Sequence, residues 1–198
     1  SEISIDREWK KGHLLSTNKD FFLYEYKNKD KLNFVISKNK SNEINGILGF
    51  LKASLYPDSL IWTTMWKVAK NSGSPMLGID ILNFLRKQGF KNVMSLGINF
   101  KTIGIYEYLG FHVGVLDHYY IPNEKIKKFK ISKFQNCNVS KKSILLVDNV
   151  YSFKKLKKIN PFEYFDFDKY NLSVPFKDLN YFNHRYIQHP VYNYDLYG

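Results

Sequence analysis

Cysteine is nearly missing from this 198-residue chain, where Cys137 stands alone. That excludes an intrachain disulfide framework and a cysteine-based zinc site, and it fits a reducing, cytoplasmic setting. Arginine is almost as scarce: only Arg7, Arg86 and Arg185 contribute to the 30 basic residues, which face 18 acidic ones. Bidentate forks to bases and phosphates need guanidinium geometry, so a lysine-dominated surface speaks against sequence-reading of nucleic acid. No apolar run approaches the ~18 residues of a membrane-spanning helix, and the N-terminus lacks a secretory leader pattern. The chain opens on Ser rather than Met and closes after an alternating aromatic stretch that reads as a strand. A piece excised from a longer protein is the expectation.

The net charge of +12 asks for an anionic partner, and nucleic acid, a membrane surface and a polyphosphate cofactor all qualify. The lysines are scattered, apart from Lys125–Lys133 and the run Lys154, Lys155, Lys157, Lys158, which suits a solvated surface. Hydrophobic residues at 44% and aromatics at 17% supply a sizeable core, and the average charged fraction of 24% excludes general disorder.

Periodicity gives an alternation of strands and helices. Phe21–Lys27 and Leu32–Ser37 read as aromatic, β-branched strands around the turn Asn28-Lys29-Asp30. Glu43–Ser54 reads as a third strand whose glycines mark a bulge. Leu60–Val68 is the clearest strand, with Trp62, Thr64 and Trp66 on one face and Ile61, Thr63 and Met65 on the other. After the loop Ala69–Pro75, Met76–Gln88 predicts a helix with Leu77, Ile81, Leu82 and Leu85 on one side and Gly89 as its stop. Asn92–Ile98 predicts a strand, Lys101–Leu109 a short helix ended by Gly110, and Phe111–Ile121 a further strand. Composition then shifts, through Ser143–Asp148 and Phe153–Ile159 to the aromatic stretch Tyr164–Gly198. A boundary is placed near Asn123, giving 1–123 and an extension over 124–198.

The loop before the predicted helix can present backbone N–H groups at a helix N-terminus, where phosphate is favoured. Gly73, Ser74 and Gly78 are small enough for close approach, and Pro75 suits a helix start. The segment Asn99–Phe111, NFKTIGIYEYLGF, directly follows a strand. It resembles the N-x-x-A-x-x-x-Y-x-x-x-G-F segment of the GNAT (Gcn5-related N-acetyltransferase) superfamily, with Asn99, Tyr106, Gly110 and Phe111 at that spacing and Thr102 in place of alanine. The resemblance spans roughly Trp9 to Asn123. It also extends to longer GNAT-like proteins of surface-polysaccharide biosynthesis.

This resemblance implies an α/β GNAT fold: a mixed, mostly antiparallel central sheet with flanking helices, followed by a C-terminal extension that covers the acceptor side or begins a second GNAT-like half. It implies acetyl-CoA, or another acyl-CoA, as co-substrate, no metal, and a small-molecule amine acceptor, an amino sugar among the candidates. Backbone groups of Trp66, Lys67 and Val68 would meet the pantetheine arm. Gly73, Ser74, Met76, Leu77 and Gly78 would hold the pyrophosphate, although only Gly78 matches the family's phosphate signature. Asn99 and Thr102 would border the pantetheine or acyl end, and Tyr106 would protonate the departing thiolate. An oxyanion donor would be a backbone N–H of Leu60–Val68.

The general base stays open among His118, Glu43, Asp58 and water; His118 has the suitable titration range. Cys137 lies outside the resembling segment, which disfavours a cysteine acyl-enzyme. His184, Arg185, Tyr186, His189 and Tyr192 cluster in NHRYIQHPVY. Histidines five apart share no helix face and a third metal ligand is lacking, so the cluster reads as aromatic packing or as a stacking acceptor site. Two other readings compete with acyl transfer: a catalytically silent GNAT-like scaffold, and a basic nucleic-acid-binding module.

Overall fold

Asn18 decides the first element. Its side chain accepts the Phe21 N–H at 2.9 Å, which caps a helix rather than starting the strand expected over Phe21–Lys27. In the computed structural model, which describes residues 12–53, 60–117, 128, 130 and 177–196, Leu14–Thr17 forms helix α1 and Lys19–Tyr26 forms helix α2. Asp20 in the first turn of α2 complements the helix dipole. Phe22 and Tyr26, four residues apart, lie on one side with their ring centroids 5.2 Å apart. Burial of this aromatic face overrides the β-preference of its residues.

A tight turn follows, with Lys27–Asn28 (β1) pairing Lys31–Leu32 (β2) across Lys29 at φ 57°. The main sheet has four strands in the order β3 (Phe34–Lys38), β4 (Ile44–Lys52), β5 (Leu60–Val68) and β6 (Asn92–Ser95). The first two pairings are antiparallel and β5–β6 is parallel. The result is a mixed α/β arrangement with a mostly antiparallel sheet and few helices. β4 and β5 fall where the sequence puts them; β6 stops at Ser95 rather than running to Ile98.

Helix α3 (Leu77–Arg86) packs on the sheet with Ile81, Leu82 and Leu85 buried, as the spacing predicts. Gly46 lets it come close: a Cβ there would sit 2.4 Å from the Ile81 Cδ1 atom. On the side of α2, Met65 joins Phe22 and Tyr26 in a core with Leu32, Phe34 and Leu51 around it.

The alternation expected along β5 fails at one point. Ile47 pairs with Lys67 and Gly49 with Thr64, so Met65 and Trp66 together oppose Leu48. This is a β-bulge, and Met65 sits in the left-handed region at φ 43°, an uncommon conformation for a side chain of this size. Beyond the bulge the faces exchange. Met65 packs against α2 beside Thr64, whose Oγ1 lies 3.0 Å from the Tyr26 hydroxyl. Trp66 turns the other way, donating its indole N–H to the Gly78 carbonyl of α3 at 3.2 Å.

Contacts divide the chain into two compact units, Ser1–Gly97 with Phe153–Gly198, and Ile98–Ser152. In the second, Asn99 accepts the Lys101 N–H at 2.9 Å and opens a short 3-10 turn, Phe100–Thr102. Helix α4 (Ile103–Tyr108) follows and ends at Gly110, φ 80°. Tyr106 is buried and meets Phe111 edge-on at 5.2 Å. Residues Phe111 to Asp117 form no strand, unlike the expectation for Phe111–Ile121; the remainder of that segment lies outside the described residues.

In the first unit, the described end of the chain is not a strand either. Leu179–Phe182 forms a single helical turn, α5, capped by the Asp178 carboxylate, which accepts the Tyr181 N–H at 2.7 Å. Asn183–Ile187 continues it as a wider π-turn. The expected elements at Ser143–Asp148 and Phe153–Ile159 lie outside the described residues.

Candidate functional site

The parallel ladder between β5 and β6 ends at the pair Thr63–Ser95, where the Thr63 hydroxyl donates to the Ser95 Oγ at 2.8 Å. β5 continues to Val68, while the chain after β6 turns at Gly97, φ 64°. β5 therefore runs on without a β6 partner beyond this pair. A cavity of about 530 Å³ opens near the end of the ladder, with Trp62, Thr63 and Thr64 from β5 and Leu96, just past β6, among its walls. Such a volume is within the range of small-molecule sites, about 300–1,000 Å³.

The opposite wall comes from α2 and from the C-terminal segment 177–196. Tyr24 and Glu25 of α2 line the cavity, as do Tyr181, His184 and Arg185. Four contacts, among others, seat the segment. Arg185 Nη1 pairs with Glu25 Oε1 at 2.9 Å, and the Tyr24 hydroxyl donates to the His184 carbonyl. The His184 ring stacks on Tyr24 at 4.3 Å, and the Lys177 ammonium donates to the Ala53 carbonyl. Burial lifts the Tyr26 phenol beneath this wall to about 12. Burial likewise moves the His184 imidazole below the ordinary histidine range, with Glu25 opposing the shift. His184 is accordingly neutral at neutral pH, a proton acceptor on the cavity wall.

The histidine–tyrosine cluster divides in two. His184 and Arg185 line the cavity, whereas His189 is buried among Phe21, Tyr192 and Tyr194, its centroid 5.1, 5.1 and 5.5 Å from theirs. His189 Nδ1 accepts the N–H groups of Val191 at 3.2 Å and Tyr192 at 2.9 Å, a role open only to an unprotonated nitrogen. Burial pushes its pKa down, Glu25 acting against it. The unfolded chain thus binds this proton more tightly, and stability is lost as pH falls from the ordinary value near ~6.5 through the lowered one. Protection of the Val191 and Tyr192 amides against hydrogen exchange, taken relative to the base-catalysed rate of a free peptide, is expected to fall on acidification across that window and to be constant above it.

A second feature adjoins β5. Trp66, Lys67 and Val68 end the strand, and the loop through Gly73, Ser74 and Met76 leads to Leu77 and Gly78 at the start of α3. The Trp66–Gly78 hydrogen bond ties the strand end to the helix start. The loop is shaped by Gly73 at φ 75° and by the Ser72 Oγ–Ser74 carbonyl hydrogen bond at 3.1 Å. A helix leaves its first N–H groups without intrahelical acceptors. Here Leu77 donates to the Ser74 carbonyl and Asp80 to the Met76 carbonyl. The amides of Gly78 and Ile79 remain as donors for an anion. Asp80, exposed in the same turn, opposes one.

The sequence-derived residues thus fall into three groups. Trp66, Lys67, Val68, Gly73, Ser74, Met76, Leu77 and Gly78 come together at the β5–α3 corner. Asn99, Thr102 and Tyr106 form a separate set in the second unit, where the Thr102 hydroxyl donates to the Asn99 carbonyl at 2.7 Å. His118, Asp58 and Cys137 lie outside the described residues. Glu43 accepts from Asn39 at 2.9 Å within the β3–β4 turn, away from the cavity walls. Sequence reasoning missed Glu25, Trp62 and Asn33 as cavity residues; the cap Asn18, read as a helix start, would have moved Glu25 onto a helix. Among the described residues no group of three His, Cys, Asp or Glu side chains is placed to hold a metal ion. No described helix is long and apolar enough to cross a membrane.

No protein-family model and no curated protein matches the chain. Among solved structures, part of the chain is similar to an acetyltransferase from Trypanosoma brucei, at 16% identity over 46% of this chain and 70% of that one, with a TM-score of 0.34.

Proposed function

We propose that this chain is an acyl-CoA-dependent N-acyltransferase of the GNAT type, which passes an acyl group from the coenzyme's thiol to a primary amine. The observation that carries the reading is the cavity of small-molecule size beside the end of the β5–β6 ladder at Thr63–Ser95. The motif Asn99, Tyr106, Gly110, Phe111 supports it independently from the sequence.

Acyl-CoA would supply an activated carbonyl together with a pyrophosphate handle. The chain's own residues fit that handle in part. Gly78 and Ile79 offer amides at the positive end of α3, and Gly73 leaves open space at the loop, where a Cβ would meet nothing within 4 Å. Asp80 works against it. Backbone groups around Trp66–Val68 would orient the pantetheine arm, and the β5 bulge at Met65–Trp66 re-aims the N–H groups of that stretch. His184, neutral and on the cavity wall, would take the proton from the acceptor ammonium. Tyr106, assigned by the sequence motif, would return a proton to the departing sulfur. Asn99 and Thr102 are assigned to the acyl end on the same ground.

Acetyl-CoA at a hundred times its dissociation constant is expected to stabilise the protein by about 2.7 kcal/mol, read as a rise in melting temperature. The same mass of oligonucleotide is expected to give none at physiological salt, whereas a nucleic-acid-binding module would respond and weaken steeply with added salt. Substituting Asp80 with Asn is expected to tighten coenzyme A. Cofactor binding with no turnover on any amine would favour the silent scaffold instead.

A further inference from the structure

Helix α2 has two working faces. Phe22 and Tyr26 hold it to the sheet beside Met65, while Phe21, Tyr24 and Glu25 carry the segment 177–196. The second set converges on His189, whose side chain is only 2% exposed. Its ring centroid lies 5.1 Å from that of Phe21 and 5.8 Å from that of Tyr24. Its Nδ1 accepts the Val191 and Tyr192 N–H groups; the intervening Pro190 has no N–H to offer. The hydrogen of the neutral ring therefore sits on Nε2, 3.8 Å from Glu25 Oε1.

A second proton has only Nδ1 to go to. It would turn the acceptor of this turn into a donor facing two donors, and leave both amides unsatisfied in a buried place. The carboxylate that could compensate is already engaged: Glu25 Oε1 is 2.9 Å from Arg185 Nη1 against 3.8 Å from His189 Nε2. From α2 the groups facing His189 are Glu25 and the Tyr24 ring; from its own segment they are Arg185, His184, Tyr192 and Tyr194. Burial holds the His189 imidazole below the ordinary range, with Glu25 opposing and Arg185 assisting. His184 is lowered by burial as well, so both rings take protons more readily once the segment is free of α2. The Phe22–Tyr26 face of α2 does not share this weakness. It is the segment that yields.

We propose that segment 177–196 is an acid-released wall of the cavity: a proton on His189 Nδ1 breaks the turn over Val191 and Tyr192 and unseats the segment from α2. Tyr181, His184 and Arg185 leave with it, and the cavity loses one side. At neutral pH both rings are uncharged and the wall is complete. A further proton on His184, beside Arg185, acts in the same direction. The device does not depend on acyl transfer and holds for whatever occupies the cavity.

The test is hydrogen exchange on the full chain from about pH 7.5 to about pH 4.5, a range spanning the ordinary histidine value, with rates divided by those of a free peptide. Protection over 177–196 is expected to fall about ten-fold or more, the change that one proton gives over a pH unit. At the acid end it is expected to lie at least about ten-fold below that of the Leu82 and Leu85 amides, because the segment leaves a body that stays folded. Nitrogen shifts of the His189 imidazole are expected to report proton uptake at Nδ1 over the same range. A neutral paramagnetic co-solute is expected to broaden the Trp62 indole N–H line more strongly in acid, as the wall opposite it departs. His189→Gln, which cannot take the proton, is expected to remove at least half of the logarithmic fall. Equal protection of the segment and α3 at the acid end would mean that the segment opens only with the whole fold, and would overturn the proposal. Proton uptake by His189 with the segment still protected, an unchanged Trp62 line, or a full-sized fall in His189→Gln would each do the same.

Discussion

Turnover by the Tyr106→Phe protein is expected to fall by about 100-fold, the lower end of what a positioned acid contributes, while binding of acetyl-CoA stays within a factor of about two. The distinction matters because Tyr106 is only 4% exposed and packs edge-on against Phe111. Phenylalanine preserves that ring contact and removes only the hydroxyl, so the expected stability loss is about 1 kcal/mol, the scale of one hydrogen bond. A residue that served packing alone would give the same small stability change with full turnover. Steady-state kinetics over an amine panel, with thiol release as the readout, decides between these. Undiminished kcat would remove Tyr106 from the chemistry.

The second large effect concerns the frame. Leu82→Ala is expected to destabilise the protein by about 2–5 kcal/mol, because Leu82 is fully buried in α3 beside Ile81 and Leu85. Small domains hold only about 5–15 kcal/mol in total, so the urea midpoint should drop by a large fraction of its value. The same helix carries the Gly78 and Ile79 amides at its start. Loss of its packing is therefore expected to weaken acetyl-CoA binding as well. A midpoint shifted by under a tenth would mean that α3 is not held by this face.

What the sequence disclosed and what it hid follow from the range of the forces involved. β5 and α3 were legible because each is long and its burial period is clean: Leu60–Val68 and the Leu77, Ile81, Leu82, Leu85 stripe are local signals. The β5–α3 corner followed from their adjacency. α2 was misread because Phe21, Phe22, Tyr24 and Tyr26 carry β-favouring side chains. A single capping hydrogen bond from Asn18, together with the burial of one aromatic face, reversed the preference. The cavity was hidden for a different reason. Its walls join α2, β5 and a segment some 160 residues further along the chain, as in the pairs Tyr24–His184 and Glu25–Arg185, and no local pattern encodes such a pairing. The cluster around His184 was visible as composition, but its division into a cavity-facing half and a buried half around His189 depends on which face α2 presents.

The supernumerary residue at Met65 has an effect on how this chain tolerates change. In a pleated ribbon, side is a matter of parity, and the strand counts one way up to Thr64 and the other way after Trp66. Straightening the bulge at unchanged length would bring the indole of Trp66 to the helix α2 side and leave the Gly78 carbonyl without its donor, whereas removing Met65 itself would restore the simple count with Trp66 still facing α3. A single extra residue thus lets one strand serve two helices, Thr64 and Met65 turned to α2 and Trp66 to α3.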